Sequence, residues 1–258
     1  MKIGIIGIGS MGSIIGHALL KEGYDLILSN RGKNLKEFDS NKVLIKTNVE
    51  LAKEATYIIL AVKPQVYPKV IEEIKPYIKD QVLISIAAGQ SLKNLEKLIG
   101  DKKIVMTMPN TPAQVGSAMS AICPNKNVSE KEVEIVIKIF ESFGKASLIS
   151  EDLFDGFGAV VGCLPAYVFM FIEAVADAAV LTGIKREDAY KFIGQTVKGS
   201  SAMLLESKKH PAVLKDMVTS PKGTTIEGLK ILEEKAFRGA IIDAIVASYN
   251  KSLKMKEK

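Results

Sequence analysis

Apolar positions follow two different patterns along the chain, and the change falls near residue 150. From Lys2 to Ile149, short and nearly continuous runs of Val, Ile and Leu alternate with segments of helical spacing. This alternation is typical of βαβ units that build a parallel sheet, with strands that helices cover on both faces. The predicted strands are Ile3–Ile6, Leu26–Ser29, Val43–Ile45, Ile58–Val62, Val82–Ile86 and Ile104–Met106.

A capping signal and a last apolar run complete this first region. Ser129 followed by Glu132 has the spacing of a capping box, which predicts a helix from there to about Phe143. The run Ser147–Ile149 predicts a final short strand. We therefore predict an α/β domain of the Rossmann type over residues 1–150.

Beyond Glu151 the strand pattern disappears and helical spacing takes over. The predicted helices cover 152–182, 186–207, 211–218, 225–235 and 237–255, so residues 151–258 are expected to form an all-helical domain. The first of these helices is apolar nearly all round, which predicts that it is buried, with a contact between subunits as one way to bury it. Its most apolar run, Phe157–Ile172, is interrupted by glycine and proline and is shorter than the roughly 20 residues of a bilayer span. No membrane span is predicted.

Composition narrows the class of protein. Apolar residues make up 47% and charged residues 25% of the 258 positions, which is typical of a globular chain with one large or two ordinary domains. The N-terminus enters the first strand without a signal-peptide pattern, so a cytoplasmic location is expected. Cys123 and Cys163 have no CxxC spacing, which argues against a zinc site and a disulfide scaffold. Both are interpreted as small core residues, and no metal site is predicted.

The positive charge does not predict a nucleic-acid partner. The net charge is +6, but the 35 Lys and Arg are interleaved with 29 Asp and Glu. The basic cluster at the C-terminal end is interpreted as a solvated helix end.

A glycine loop follows the first strand. Gly7, Gly9 and Gly12 form the GxGxxG pattern directly after that strand and before a helix that begins near Ser13. In this context the first glycine permits a tight turn, the second lets the backbone approach a pyrophosphate, and the third lets helix and strand pack closely. The loop predicts a dinucleotide cofactor.

The end of the second strand distinguishes the two nicotinamide cofactors. An acid at this position binds the adenosine ribose and repels a 2'-phosphate. Here the strand ends with Ser29, Asn30 and Arg31, and a guanidinium favours a phosphate. We predict NADPH as the cofactor, with NADH possible but weaker.

Four further segments, together with the glycine loop, resemble the pyrroline-5-carboxylate reductase family over essentially the whole chain. They are Ala61–Gln65 (Ala-Val-Lys-Pro-Gln), Met108–Ala113 (Met-Pro-Asn-Thr-Pro-Ala), Pro165–Tyr167 (Pro-Ala-Tyr) and Val218–Thr225 (Val-Thr-Ser-Pro-Lys-Gly-Thr-Thr). The resemblance implies an N-terminal Rossmann domain and a C-terminal helical domain that intertwines with a second subunit. It also implies NADPH-dependent reduction of 1-pyrroline-5-carboxylate to L-proline, the final step of proline synthesis. The expected assembly is a homodimer or a higher even-numbered homo-oligomer.

Matching positions carry the family's site over to this chain. The residues implied for cofactor binding are Gly7, Ile8, Gly9, Ser10, Met11, Gly12, Asn30, Arg31, Asn48, Ala61, Val62, Lys63, Pro64, Ile86, Ala87, Ala88 and Gly89. Those implied for substrate binding are Asn110, Ser220, Gly223, Thr224 and Thr225. The hydroxyl of Thr225 is expected near the imine nitrogen as the catalytic group. A Pro-x-Gly-Thr-Thr turn that leads into a helix also presents unpaired amides to an anion, whatever the family.

Two positions depart from the family pattern, and several other functions stay open. Leu164 and Lys222 stand where the family has glycine, and lysine is disfavoured at Lys222 if the backbone there needs a positive φ. A reductase of another cyclic imine and a non-catalytic NADP-binding regulatory relative are the alternatives. A 3-hydroxyacid dehydrogenase would need a lysine on the first helix of the second domain, and residues 153–183 contain none. A prephenate-type dehydrogenase would need a well-placed histidine, and neither His17 nor His210 fits.

Overall fold

The computed structural model describes residues 1–31, 35–38, 40–87 and 89–256, without the side chains of Lys36 and Lys256. These residues form two compact units, one of residues 1–162 with 249–258 and one of residues 163–248. This grouping by contacts differs from the sequence-based division at residue 150, which stays a prediction.

The first unit is built on a sheet whose described strands number eight. In chain order they are β1 (Lys2–Ile6), β2 (Asp25–Ser29), β3 (Val43–Ile45), β4 (Tyr57–Leu60), β5 (Val82–Ser85), β6 (Ile104–Met108), β7 (Ala118–Pro124) and β8 (Gly144–Leu148). Their order in the sheet is β3-β2-β1-β4-β5-β6-β7-β8. The first six strands are parallel, β7 is antiparallel to β6, and β8 is parallel to β7. The predicted Rossmann class is confirmed.

Helices cover both faces of this sheet. They are α1 (Ser10–Lys21), α2 (Asn48–Glu54), α3 (Tyr67–Ile74), α4 (Leu92–Ile99), α5 (Glu130–Glu141) and the short α6 (Phe154–Phe157). Successive residues of β1 point to opposite cores, since Ile3 and Ile5 lie in one buried cluster and Ile6 lies in the other. The apolar runs are continuous because neither face of the sheet meets water. The capping box of Ser129 and Glu132 is confirmed at the start of α5.

Strand β7 was not predicted, and several strand ends differ from the prediction. It begins Ala-Met-Ser-Ala, and small residues and serine carry little strand signal. Its pairing with β6 reverses the chain direction, which a reading based on βαβ units alone does not anticipate. Strands β4 and β5 end at Leu60 and Ser85, before Val62 and Ile86, and β8 begins at Gly144 instead of Ser147.

The remaining elements are helical, as predicted. They are α7 (Leu164–Leu181), α8 (Arg186–Ser207), α9 (Pro211–Met217), α10 (Thr224–Glu234) and α11 (Phe237–Lys256). Residues 163–248 are all described and contain no strand. Cys123 is buried in the first unit, whereas Cys163 is only half-buried, so the prediction of a core position was wrong for Cys163.

The predicted first helix of the C-terminal region is longer and more exposed than expected. Helical turns continue over 31 residues, Glu151–Leu181, with a π-helical stretch at Gly158–Gly162, so the glycines do not end the run. By length and composition alone this stretch is able to cross a membrane, and the argument from run length was wrong. The predicted burial also fails within one chain, because Phe169 is 67% exposed and Met170 is 73% exposed. Within one chain these side chains therefore form an exposed apolar surface.

Candidate active site

The three glycines of the loop after β1 have different surroundings. Gly7 has φ +96°, and a Cβ placed on it would lie 2.6 Å from Cγ1 of Val62. A Cβ on Gly12 would overlap the carbonyl oxygen of Gly7. At Gly9, by contrast, no atom of the described residues other than its chain neighbours lies within 4 Å of such a Cβ. The first and third glycines are therefore needed for the turn and its packing, whereas the second borders open space where a pyrophosphate would fit.

The N-terminus of α1 is prepared for an anion. Gly9 is the N-cap and provides no capping side chain, and the first turn, all of it described, contains no acidic residue. The first amides of a helix lack partners within the helix, and the helix dipole places positive charge there. A phosphate group fits this site.

Asn30 links the end of β2 to the glycine loop. Its Oδ1 accepts a hydrogen bond of 3.2 Å from the backbone N–H of Ile8, while the N–H of Gly7 donates to the carbonyl of Ser29 at 2.8 Å. The Nδ2 of Asn30 is buried and has no hydrogen-bond partner among the described residues. A buried donor without an acceptor is costly, so its position fits a ligand that supplies one.

A hydrogen-bonded network follows at the end of β2. Oγ of Ser29 donates to Oδ1 of Asn48 at 2.7 Å, and Asn48 is only 7% exposed. Nδ2 of Asn48 and Nη2 of Arg31 both donate to Oε2 of Glu73 on α3, each at 2.9 Å. Two cavities of about 420 and 120 Å³ lie here, and residues 29–31 and Asn48 line both. The space is suited to the adenosine end of a dinucleotide.

The other predicted cofactor residues lie where β4 and β5 end. Ala61 and Val62 directly follow β4, and Lys63 and Pro64 lead into a short 3-10 turn over Pro64–Val66. Ile86 and Ala87 follow β5, and Gly89 has φ +73°. Ala88 lies outside the described residues. Since parallel strands place their carboxyl ends at one edge, these segments lie at the same edge of the sheet as the glycine loop, and their binding roles stay predictions.

Tyr67 supports these two segments and was not identified from the sequence. Its hydroxyl donates to the carbonyl of Leu60 at 2.8 Å and lies 3.0 Å from Oγ of Ser85, so it joins the last residues of β4 and β5. Burial raises the pKa of Tyr67 to about 12, and the phenol stays neutral. Its position at the start of a helix gives no sequence signal of this role.

Asn110 uses both ends of its side chain within the first unit. It follows β6, and its Nδ2 donates to the carbonyl of Val161 at 3.1 Å. Its Oδ1 accepts from the N–H of Met119 at 3.0 Å. Asn110 thus fixes the π-helical stretch and the start of β7 to the end of β6, and its predicted contact with substrate stays a prediction.

The predicted substrate loop lies in the second unit, at the start of α10. Gly223 is the N-cap and a Cβ on it would overlap Oγ of Ser220, so the loop closes tightly on Ser220. Thr224 and Thr225 are the first two residues of α10, and both are exposed. Lys222 has φ +57°, so this backbone position does have the conformation that favours glycine. The loop offers free helix amides and two hydroxyls to an anion.

Two features define a dinucleotide-binding protein of the Rossmann class. They are the parallel strand order β3-β2-β1-β4-β5-β6 and the open glycine loop at the end of β1. Two family models match the chain. The model described as pyrroline-5-carboxylate reductase dimerisation matches residues 151–255, and the one described as NADP oxidoreductase coenzyme F420-dependent matches residues 2–89.

Full-length relatives identify the family. The pyrroline-5-carboxylate reductase of Escherichia coli is 43% identical, covering 99% of this chain and 98% of that protein. The crystal structure of a Plasmodium falciparum pyrroline carboxylate reductase with NADP bound has a TM-score of 0.90 and 36% identity, covering 99% and 98% of the two chains. A pyrroline-5-carboxylate reductase from Coxiella burnetii has a TM-score of 0.93 and 32% identity with the same coverage. The chain belongs to the pyrroline-5-carboxylate reductase family.

This membership confirms the resemblance found in the sequence. The predicted oxidoreductase class and the NADP cofactor are confirmed with it. The dimerisation match also accounts for the exposed apolar surface of the C-terminal helices, because a second copy of the chain covers such a surface in a homo-oligomer.

Proposed function

We propose that this protein reduces 1-pyrroline-5-carboxylate to L-proline, with NADPH preferred over NADH. The observation that carries the proposal is the 43% identity to a pyrroline-5-carboxylate reductase over 99% of the chain. The open space at Gly9 and the unpartnered Nδ2 of Asn30 support it, because both suit a dinucleotide at the end of β1.

The first unit would hold the cofactor. When bound, NADPH supplies the hydride that reduces a C=N bond. The amides at the start of α1 would bind its pyrophosphate, and Asn30, Arg31 and Asn48 would bind its adenosine end. The segments after β4 and β5 would position the nicotinamide end, and the bonds of Tyr67 would keep them in place.

The loop of the second unit would hold the substrate. Ser220, Gly223 and Thr224 would bind the carboxylate of the imine at the positive end of α10. Thr225 would orient the imine nitrogen through its hydroxyl. Asn110 would keep the end of β6 rigid and would use its remaining hydrogen-bonding capacity to bind the substrate.

No strong general acid is needed for this reaction. A cyclic imine is basic enough to be partly protonated near neutral pH, so alignment of donor and acceptor supplies most of the catalysis. Both histidines are committed elsewhere: the ring of His17 stacks on Phe38 at 4.3 Å, and Nδ1 of His210 accepts the N–H of Ala212. This favours a mechanism based on orientation.

One assay tests the proposed function together with two alternatives, a reductase of another cyclic imine and a non-catalytic NADP-binding regulatory relative. NADPH oxidation is measured with 1-pyrroline-5-carboxylate and, in parallel, with a six-membered cyclic imine. We expect a clearly higher kcat/KM for the five-membered ring. A preference for the larger ring would favour the other cyclic-imine reductase and point to Leu164 and Lys222. NADPH binding without turnover of either imine would favour the regulatory relative.

The assembly and location belong to the same proposal. We expect a dimer or a larger even-numbered assembly, because a surface that packs on its own copy about a two-fold axis joins subunits in pairs. A cytoplasmic location would give the enzyme access to NADPH and to its soluble substrate.

A further inference from the structure

The end of β2 lacks an acidic residue, yet the structure brings a carboxylate to the same place from another element. Glu73 lies on α3, 42 positions after Arg31, and its Oε2 accepts hydrogen bonds from both Arg31 and Asn48. The carboxylate also lines the cavity of about 420 Å³ that contains Asn30, Arg31 and Asn48. No sequence motif connects these residues.

The other charged groups of this cavity have different partners. Glu50 closes the capping box of α2, because its Oε2 accepts from the N–H and Oγ1 of Thr47 at 2.9 and 2.7 Å. Lys46 pairs with Glu54. Arg31 and Glu73 are thus the charged pair that joins β2 to α3 across the cavity, with side chains 63% and 31% exposed.

We propose that Glu73 sets the balance between the two nicotinamide cofactors by weakening NADPH binding and supporting NADH binding. This inference rests on the proposed function, since it assumes that the dinucleotide's adenosine end lies in this cavity. A 2'-phosphate carries a charge of about −1.5 to −2 and would meet an arginine whose charge the paired Glu73 partly offsets. NADH has a ribose hydroxyl there instead, which donates to a carboxylate as it does in Rossmann domains with an acid after β2.

The carboxylate has the capacity for this second role. A carboxylate offers about four acceptor positions, and the bonds from Arg31 and Asn48 use two of them, both on Oε2. Asn48 is itself held by Ser29, so the carboxylate is anchored by a buried side chain as well as by an exposed one. Such anchoring preorganises Glu73 for a ligand.

The test measures dissociation constants of NADPH and NADH by calorimetry without any imine. Glu73→Gln keeps an acceptor oxygen but removes the charge. We expect it to tighten NADPH and weaken NADH, changing the ratio of the two constants by about 5- to 50-fold. Glu72→Gln removes the same charge from the exposed neighbouring position on α3 and should leave the ratio unchanged. Arg31→Ala should act in the opposite direction and weaken NADPH far more than NADH.

The opposite signs for the two cofactors separate a specificity role from a structural one. If Glu73 only supported the fold, Glu73→Gln would weaken both cofactors together, and that result overturns the proposal. An unchanged ratio, or weaker NADPH binding alone, also overturns it. Because no imine is present, these outcomes do not depend on the substrate. If the ratio is unchanged in a variant that still reduces 1-pyrroline-5-carboxylate, only the role proposed for Glu73 is overturned. If the wild type binds neither dinucleotide, the proposed function is overturned as well.

Discussion

Lys222 has a strained backbone conformation in the predicted substrate loop. Its φ of +57° lies in the left-handed region, which costs an L-residue about 1–2 kcal/mol relative to glycine. A glycine at this position would relieve that strain, but part of the gain in stability would be offset because glycine makes the unfolded chain more flexible. We therefore expect Lys222→Gly to raise the free energy of unfolding by about 1 kcal/mol at a fixed protein concentration.

The matched control for this prediction is Lys222→Ala, measured by the same denaturant melts. Alanine removes the lysine charge but keeps the Cβ and its strain, so it should give no comparable gain. Equal stabilisation by both variants would mean that the charge of Lys222, and not its backbone, is unfavourable.

Thr225 allows chemistry and helix stability to be separated. Gly223 is the N-cap of α10 and Thr225 is the second helical residue, so its hydroxyl is not the cap. If the hydroxyl orients the imine, Thr225→Ala should lower kcat roughly 10- to 1000-fold while the affinity for NADPH and the melting temperature change little. Thr225→Ser should recover much of kcat. An unchanged kcat in Thr225→Ala would exclude the residue from the active site.

The residues that sequence reasoning missed share one property. Glu73 and Tyr67 both lie on α3: Glu73 bonds Arg31, 42 positions away after β2, and Tyr67 bonds the last residues of β4 and β5, 7 and 18 positions away. The glycine loop was recognisable because its three glycines are close together in the sequence, two of them needed for the shape of the loop and the remaining one leaving open space beside it. A side chain that arrives from another helix leaves no such local pattern, and only the fold reveals it.

At the level of elements, we expect a glycine-to-alanine substitution to have different effects at two positions of the loop between β1 and α1. Gly12→Ala would place a Cβ on the carbonyl of Gly7, so it should destabilise the fold by a few kcal/mol. Gly9→Ala has open space around its Cβ in the protein and should melt like the wild type. It should still weaken NADPH binding at least 10-fold, because the methyl group would occupy the space of the pyrophosphate.

Thermal melting and calorimetric NADPH titration of both variants distinguish these effects. Normal NADPH affinity in Gly9→Ala would mean that the pyrophosphate does not approach this loop. A normal melting temperature in Gly12→Ala would mean that α1 and β1 adapt more easily than their close contact indicates.

Elements buried on both faces were predicted best. Most buried positions of β1, β2 and β4 are Ile or Leu, because alternate residues enter two different cores. Strand β7 is also mostly buried, but four of its seven residues are Ala, Ser or Cys, whose pattern does not distinguish a strand from a loop. All these strands are buried in the sheet, but burial can be predicted from the sequence only where the buried side chains are large and apolar.

At the level of the whole molecule, residues 163–248 have almost no core of their own. Ala176 and Ala189 are the two residues in this fully described segment that are buried within one chain. Large apolar side chains remain exposed on several of its helices, with Met170 at 73% and Leu205 at 77%. A helical unit with so little core of its own offsets little of the entropy of folding, and the dimerisation match leads us to expect that a second copy supplies much of its stability. The sequence predicted a buried helix and offered a contact between subunits as one way to bury it, and the exposed side chains of the single chain agree with that alternative.

A charged residue on this surface should break the assembly. We expect the wild type to sediment as a dimer or a larger even-numbered oligomer at micromolar concentration. Met170→Glu should shift it towards monomer and lower the melting temperature, because an unpaired carboxylate would be buried at the contact. Lys138→Glu, at an exposed position of α5 in the first unit, should change neither. A wild-type monomer with full reductase activity, or a Met170→Glu variant that assembles normally, would exclude this surface as the subunit contact.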